Sequence, residues 1–97
     1  MRTPAVLTVL GEDRVGIVAT VSRALAEANT NIEDIRQTIL GRIFTMTMLV
    51  TVDEERVPFD ELQRRLADVG KNLGMQITLH ASHLEDTGRA MPLHVQA

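Results

Sequence analysis

The sequence predicts an α+β fold in which a four-stranded antiparallel sheet carries two helices on one face. Two segments repeat their apolar residues every three or four positions, as amphipathic helices do, and four others have the alternation or short apolar runs of strands. Their order along the chain is strand, helix, strand, strand, helix, strand. The 97 residues suit one hydrophobic core, so we expect a single domain.

The first strand and the first helix follow each other closely. Residues 5–10 form an apolar run between Pro4 and Gly11, which is typical of a strand in the middle of a sheet. Residues 14–28 then place their apolar side chains on one helical face, and Asp13 is positioned to cap that helix.

Strands two and three form a predicted hairpin. Residues 32–40 alternate except at Ile32, which is out of phase and predicts a bulge or twist near the start of strand two. Gly41 and Arg42 form the turn, where Gly41 can adopt a positive φ angle. Strand three follows with an apolar face made of Phe44, Met46, Met48, Val50 and Val52.

Helix two begins after Pro58, and Gly70 and Gly74 are both candidates for its end. Residues 75–80 alternate as strand four. We expect the domain to span residues 1–83, with residues 84–97 as a C-terminal tail that could contain a short helix.

This order predicts the ferredoxin-like βαββαβ arrangement. Right-handed crossovers place strand one between strands three and four, and leave strand two at an edge of the sheet. The unpaired amides of an edge strand invite a second copy of the chain, so we expect a homodimer or a larger homo-oligomer.

Composition excludes several classes of function. The formal charge of −3 and only two aromatic residues argue against a direct nucleic-acid partner. No apolar stretch is long enough to span a membrane, and the absence of cysteine excludes disulfides and thiolate chemistry. We therefore expect a cytoplasmic protein.

The most informative stretch is residues 11–18, which joins strand one to the first helix. The amino end of a helix presents free backbone N–H groups that favour a carboxylate, and Gly16 permits a close approach. A glycine at such a junction is also common for packing alone, and helix capping would by itself account for Asp13.

Residues 11–18, together with the Asn29-Thr30-Asn31-Ile32 stretch, resemble the G-x-D-x-x-G-[IL]-[VL] and N-I signatures of ACT domains. The likeness is strongest to small single-domain prokaryotic ACT proteins and to the ACT halves of the glycine cleavage transcriptional repressor. It implies a regulatory domain whose effector, commonly an amino acid, binds between subunits. The ligand-binding residues implied by position are Asp13, Arg14, Val15, Gly16, Ile17, Asn31 and Ile32.

We therefore expect a dimeric metabolic sensor for an amino acid or another small carboxylate, with no cofactor and no catalytic activity, which could act on a regulated protein partner. One alternative is a protein-interaction module without a small ligand. Another is an acylphosphatase-like enzyme using Arg14 and Asn31, but the acidic residues Glu12 and Asp13 would repel a phosphate.

No metal site is expected from the histidines. His80 and His83 are weak candidates, with His94 and neighbouring carboxylates, because their spacing matches no tight metal-binding motif. Isolated histidines are more often solvated than metal-bound.

Overall fold

The computed structural model describes residues 1–82, which fold as the sequence predicts into four strands and two helices. The sheet is antiparallel throughout, in the order β2-β3-β1-β4. The elements are β1 (Arg2–Glu12), α1 (Ile17–Glu27), β2 (Asn31–Leu40), β3 (Ile43–Asp53), α2 (Phe59–Leu73) and β4 (Met75–Ala81). The ferredoxin-like arrangement is confirmed, and the predicted tail lies outside the described residues.

The core lies between the sheet and the two helices. The alternation in β3 is confirmed, because its predicted apolar face is fully buried. β1, β4 and both helices add to this layer. The largest buried side chains are those of Leu7, Leu25, Met46, Met48, Leu62 and Leu66.

β1 is longer than predicted at both ends. Pro4 pairs with Thr51 inside the strand, and its carbonyl accepts a hydrogen bond from Ser82 N–H at 2.8 Å. Gly11 is also within the strand, where a Cβ atom would lie 2.6 Å from the sulfur of Met75. These two residues were expected to bound the strand, but a proline lacks only the N–H donor and a glycine can allow close packing.

The start of α1 corrects the prediction for Asp13. The helix begins at Ile17 rather than at residue 14, and the N-cap position belongs to Gly16, with φ +90°. No side chain caps this end. Asp13 lies three residues before the N-cap, so its carboxylate cannot perform the predicted capping role.

The predicted irregularity in β2 and the predicted hairpin are both present. The register between β2 and β3 shifts between Ile32 and Asp34, which makes Glu33 the extra residue of a bulge. Gly41 has φ +62°, as a tight turn between these strands requires.

α2 passes through Gly70 and ends at Leu73, and Gly74 follows as its C-cap with φ +71°. Gly70 is buried inside the helix, so it is not the exit that the sequence allowed. A Cβ at Gly70 would lie 2.6 Å from the backbone oxygen of Met75, which shows how closely α2 packs on β4.

The sheet face opposite the helices is largely polar. The hydroxyls of Thr8 and Thr78 lie 2.5 Å apart on neighbouring strands. Leu10, Leu40 and Ile43 are exposed together near the β2–β3 turn. Neither of the two described helices has the length and apolar character needed to cross a bilayer.

Candidate functional site

The β1–α1 loop, residues 13–16, exposes the amino end of α1. All four residues are exposed, and Val15 at the tip is 98% exposed. The first helical backbone bond runs from Thr20 N–H to the carbonyl of Gly16 at 3.0 Å, and within residues 1–82 the amides of residues 17–19 have no acceptor. The first turn carries no acidic side chain. These free donors and the helix dipole favour an anionic group.

Two contacts hold the β1–α1 loop in place. Asp13 N–H donates to the carbonyl of Arg42 at 2.7 Å, which ties the loop to the β2–β3 turn. Arg14 Nη1 donates to the carbonyl of Leu73, the last residue of α2, at 2.8 Å. The Arg14 guanidinium thus stabilises the carboxyl end of α2, a structural role that the sequence did not indicate.

Asn31 and Ile32 lie at the opposite end of α1 from Gly16. The 11 residues of α1 separate them by about 16 Å, at about 1.5 Å per residue. Asn31 Nδ2 donates to Glu33 Oε2 at 2.8 Å, and Ile32 packs against the core. One chain therefore does not bring the two halves of the predicted ligand site together. It also does not bring Arg14 and Asn31 together, as an acylphosphatase-like centre would require.

The β2 edge is the exposed free edge of the sheet formed by residues 31–40. Ile35 and Ile39 lie opposite Met48 and Phe44 in the register, so they belong to the face that the helices cover. They are nevertheless 38% and 54% exposed, respectively. α1 therefore does not shield this edge, and the two isoleucines form an apolar strip along it.

A profile of the ACT domain matches residues 3–80, almost the whole described part of the chain. The chain belongs to the ACT domain family. A UPF0237 protein of Methanopyrus kandleri is 47% identical to it over 89 residues, which are 92% of this chain and 96% of the relative.

Solved structures agree with this assignment. An ACT domain protein from Streptococcus pneumoniae has a TM-score of 0.72 and 38% identity, over 81% of this chain and 89% of that chain. A structure assigned provisionally as a glycine cleavage system transcriptional repressor has a TM-score of 0.76 and 26% identity, over 84% of this chain and 47% of that chain. Both resemblances inferred from the sequence are confirmed, and ACT domains are typically regulatory and ligand-binding.

A second feature of this ACT domain is a polar cavity of about 510 Å³ beside the connection between the carboxyl end of α1 and the start of β2. We name it the end pocket. Its lining residues are Arg2, Ala26, Asn29, Thr30, Asn31, Glu33 and Thr51. Asn29, with φ +56°, turns the chain from the helix towards the strand, so the pocket is built by the junction itself.

Glu33 provides a fixed carboxylate in the end pocket. Its Oε2 atom accepts hydrogen bonds from Asn31 Nδ2 and Thr51 Oγ1, both at 2.8 Å. The bond from Asn31, followed by that from Thr51 and a smaller attraction to Arg2, lowers the pKa of Glu33 below its ordinary value of 4.5. Glu33 is therefore ionised at neutral pH.

Asp53 lies beside the end pocket and is ionised for a similar reason. Asn29 Nδ2 donates to its Oδ2 atom at 2.9 Å, and this bond is the main cause of the lowered pKa of Asp53. The nearby positive charge of Arg2 lowers it further.

Two groups in the end pocket lack partners. The guanidinium of Arg2 forms no ion pair or hydrogen bond with any of residues 1–82, although it is close enough to influence Glu33 and Asp53. Thr30 is only 6% exposed, and its hydroxyl oxygen is buried without a hydrogen-bond partner in the same part of the chain. Buried hydroxyls are normally satisfied, so this one is a notable exception.

The described residues contain no cluster of three or more histidine, aspartate or glutamate side chains placed to hold a metal ion. His80 stands exposed on the open sheet face, opposite Val6. His83 lies outside the described residues.

The sequence indicated the β1–α1 loop and part of the end pocket. Asn29, Thr30 and Asn31 belong to a stretch that it singled out, whereas Arg2 and Thr51 are distant along the chain and only the fold brings them there. The phase break at Ile32 marked the bulge that contains Glu33.

Proposed function

We propose that this ACT domain is a regulatory homodimer that binds an amino acid or another small carboxylate between its subunits. Each of two equivalent sites would combine the β1–α1 loop of one subunit with the start of β2 of the other. The observation that carries the proposal is the exposed, uncapped amino end of α1, whose free amides suit a carboxylate.

Pairing of two β2 edges would complete these sites. In an antiparallel two-fold pair, the start of one β2 faces the end of the other. The end of β2 leads into the turn at Arg42, and Asp13 is bonded to that turn. Asn31 of one subunit would thus come close to the partner's β1–α1 loop, although the two are far apart within one chain.

The β2 edge suits such pairing better than the β4 edge does. β2 has ten residues and exposes the large apolar side chains of Ile35 and Ile39. β4 has seven residues, and its exposed side chains are Gln76, His80 and Ala81. Burying the isoleucines in a dimer would be favourable by about 25 cal/mol per Å² of apolar surface.

The proposed output is a change in assembly rather than a reaction. A carboxylate bound across the interface would favour the paired state by its differential affinity, and the paired state would act on a regulated protein. A relative in the family has been assigned as a transcriptional repressor, which is also a regulator. The absence of cysteine suits the reducing cytoplasm.

The test is a titration of the full chain with the twenty standard L-amino acids, acetate and pyruvate. Ligand-dependent thermal stabilisation would identify a hit, and amide NMR shifts at residues 17–19 would locate it. We expect Ile39→Lys to abolish those shifts, because the charge prevents pairing and removes half of each site.

Asn72→Lys is the matched control, because it adds the same charge at an exposed position of α2 and should bind normally. Shifts at residues 17–19 of equal size in Ile39→Lys and Asn72→Lys would refute an intersubunit site. No shift at these residues with any probe would refute the loop as a ligand site.

The second candidate function is a protein-interaction module without a small ligand. It is favoured by the exposed strand amides and the apolar strip of the β2 edge, which could pair with a strand of another protein. A protein partner captured by the wild type and by Asn72→Lys, but not by Ile39→Lys, would support it if no carboxylate binds.

A further inference from the structure

The end pocket differs from the proposed intersubunit site because residues of one subunit line all of it, although the two sites share Asn31 at the start of β2. Its volume of about 510 Å³ falls within the range of small-molecule sites, roughly 300–1,000 Å³. It uses neither the β1–α1 loop nor any of the free amides at the amino end of α1. The role proposed for the β1–α1 loop therefore does not involve this pocket's charged groups.

The end pocket contains two opposite charges, of which Glu33 has hydrogen-bond partners within residues 1–82 and Arg2 has none. The Glu33 carboxylate is oriented by Asn31 and Thr51 through one of its two oxygens, so its Oε1 atom has no hydrogen bond within residues 1–82. Arg2 brings a guanidinium that makes no ion pair with it. A carboxylate oxygen and an unpaired guanidinium in one cavity match a ligand with an ammonium group and a carboxylate.

Thr30 adds a polar residue to the wall of the pocket, although its hydroxyl oxygen is itself buried. Leaving a buried hydroxyl without a partner costs about 1–3 kcal/mol. Thr30 lines the same cavity as Arg2 and Glu33. The helix dipole gives the carboxyl end of α1 a negative potential, and no basic residue in the last turn of α1 offsets it. This potential further favours an ammonium group.

We propose that the end pocket is a second ligand site, complete in each subunit, that binds a zwitterionic α-amino acid. Glu33 accepts hydrogen bonds from the ammonium group, and Arg2 pairs with the carboxylate.

Other ligand classes fit the pocket less well. An anion such as phosphate would meet Arg2 but also the nearby carboxylates of Glu33 and Asp53. A metal ion would lack a group of three suitable side chains within residues 1–82. A ligand with both charges satisfies Arg2 and Glu33 at once.

The test is calorimetric titration of the full chain with each of the twenty L-amino acids, up to about 10 mM, which would detect a Kd near 1 mM. For any hit, the corresponding amine without the carboxylate and the corresponding acid without the amine are titrated as well. We expect each of these to bind at least about tenfold more weakly, because each leaves one charge unpaired.

Arg2→Gln and Glu33→Gln should each weaken binding about tenfold or more. Glu33→Gln keeps an oxygen for Asn31 and Thr51 to bond, so it tests the charge and not the fold. Arg23→Gln and Asp68→Asn are matched controls that remove the same charges at exposed helix positions outside the pocket, and they should bind as the wild type does.

NMR separates this site from the intersubunit site. Binding in the end pocket should shift the amides of Asn29, Thr30 and Glu33, and these shifts should persist in Ile39→Lys. Shifts at residues 17–19 alone, unchanged affinity in both Arg2→Gln and Glu33→Gln, or no binding of any amino acid at the end pocket would overturn the proposal. The first of these outcomes would leave the proposed function intact.

Discussion

At the residue scale, Gly16 has a second role that the sequence did not indicate. The sequence suggested that a glycine there lets a ligand or a neighbouring backbone come close, and within residues 1–82 the space where its Cβ would be is open to 4 Å. What requires glycine is φ +90°, which L-residues with side chains rarely adopt. A backbone angle cannot be read from residue types alone, and for the same reason Asp13 was wrongly expected to be the cap.

The predicted contacts of Arg14 and Asn31 with a ligand remain predictions. Each residue also has a partner within the fold, the carbonyl of Leu73 and the carboxylate of Glu33, respectively. The sequence did not reveal these partners, because Leu73 comes from a distant element and Glu33 is reoriented by a bulge.

Glu33 leads to a prediction about acid stability. Its pKa in the folded state is lower than the ordinary value of 4.5 that applies to the unfolded chain. The stabilisation that the ionised Glu33 side chain gives to the folded state is therefore complete above pH 4.5. It is lost as the pH falls through the lower folded-state pKa. We expect the difference in unfolding free energy between wild type and Glu33→Gln to shrink as the pH is lowered below 4.5.

Urea unfolding between about pH 7 and pH 3 would measure this difference. Asn31→Ala should flatten the same pH dependence, because it removes the main donor to Glu33. If the difference in unfolding free energy between wild type and Glu33→Gln stays constant over the whole pH range, the folded state does not lower the pKa of Glu33.

At the scale of elements, periodicity was sufficient to predict the type and order of all six. The boundaries were less accurate where close packing or strand pairing overrides local preference. β1 continues through Pro4 and Gly11 because β3 pairs with both positions, and β4 also pairs with Gly11. The bulge in β2 was predicted, since a break in alternation is a direct consequence of an extra residue.

Gly70 gives a prediction at this scale. In an exposed helix, replacing glycine with alanine stabilises by about 1 kcal/mol. Here the new Cβ would lie 2.6 Å from the backbone oxygen of Met75, which cannot move without displacing β4. We expect Gly70→Ala to lower the free energy of unfolding by about 1–2 kcal/mol, because overpacking outweighs helix propensity.

Urea unfolding of Gly70→Ala beside Asn72→Ala would check this. Asn72 is an exposed position of the same helix, so alanine there should be neutral or stabilising by a few tenths of a kcal/mol. Equal stability of Gly70→Ala and the wild type would mean that α2 and β4 are packed less closely than the structure shows.

At the scale of the whole molecule, the small size of the chain means that association would add to its stability. A chain of 97 residues buries only about 60–65% of the surface that its unfolded form exposes, so covering Ile35 and Ile39 would add usefully to its stability. The sequence predicted the edge position of β2, which is confirmed. Pairing through that edge remains a prediction. The sequence could not show that α1 leaves these isoleucines exposed, because that depends on how the helix crosses the sheet.

We therefore expect the melting temperature to depend on protein concentration. Between about 1 µM and 100 µM it should rise by about 5 °C if unfolding is coupled to dissociation of a dimer. Ile39→Lys should melt at a lower temperature that does not change with concentration, whereas Asn72→Lys should behave as the wild type does. A concentration-independent melting temperature for the wild type would argue for a monomer.

The hydrogen bond from Ser82 to Pro4 has a consequence for how this fold can be rearranged. Because it holds the exit of β4 beside the entry of β1, a short peptide could connect those two points directly. New termini could then be cut at the exposed turn of Gly41 and Arg42. Such a circular permutant would place β2 last and β3 first while keeping every neighbour in the sheet, and would report whether the architecture depends on the order in which the chain is synthesised.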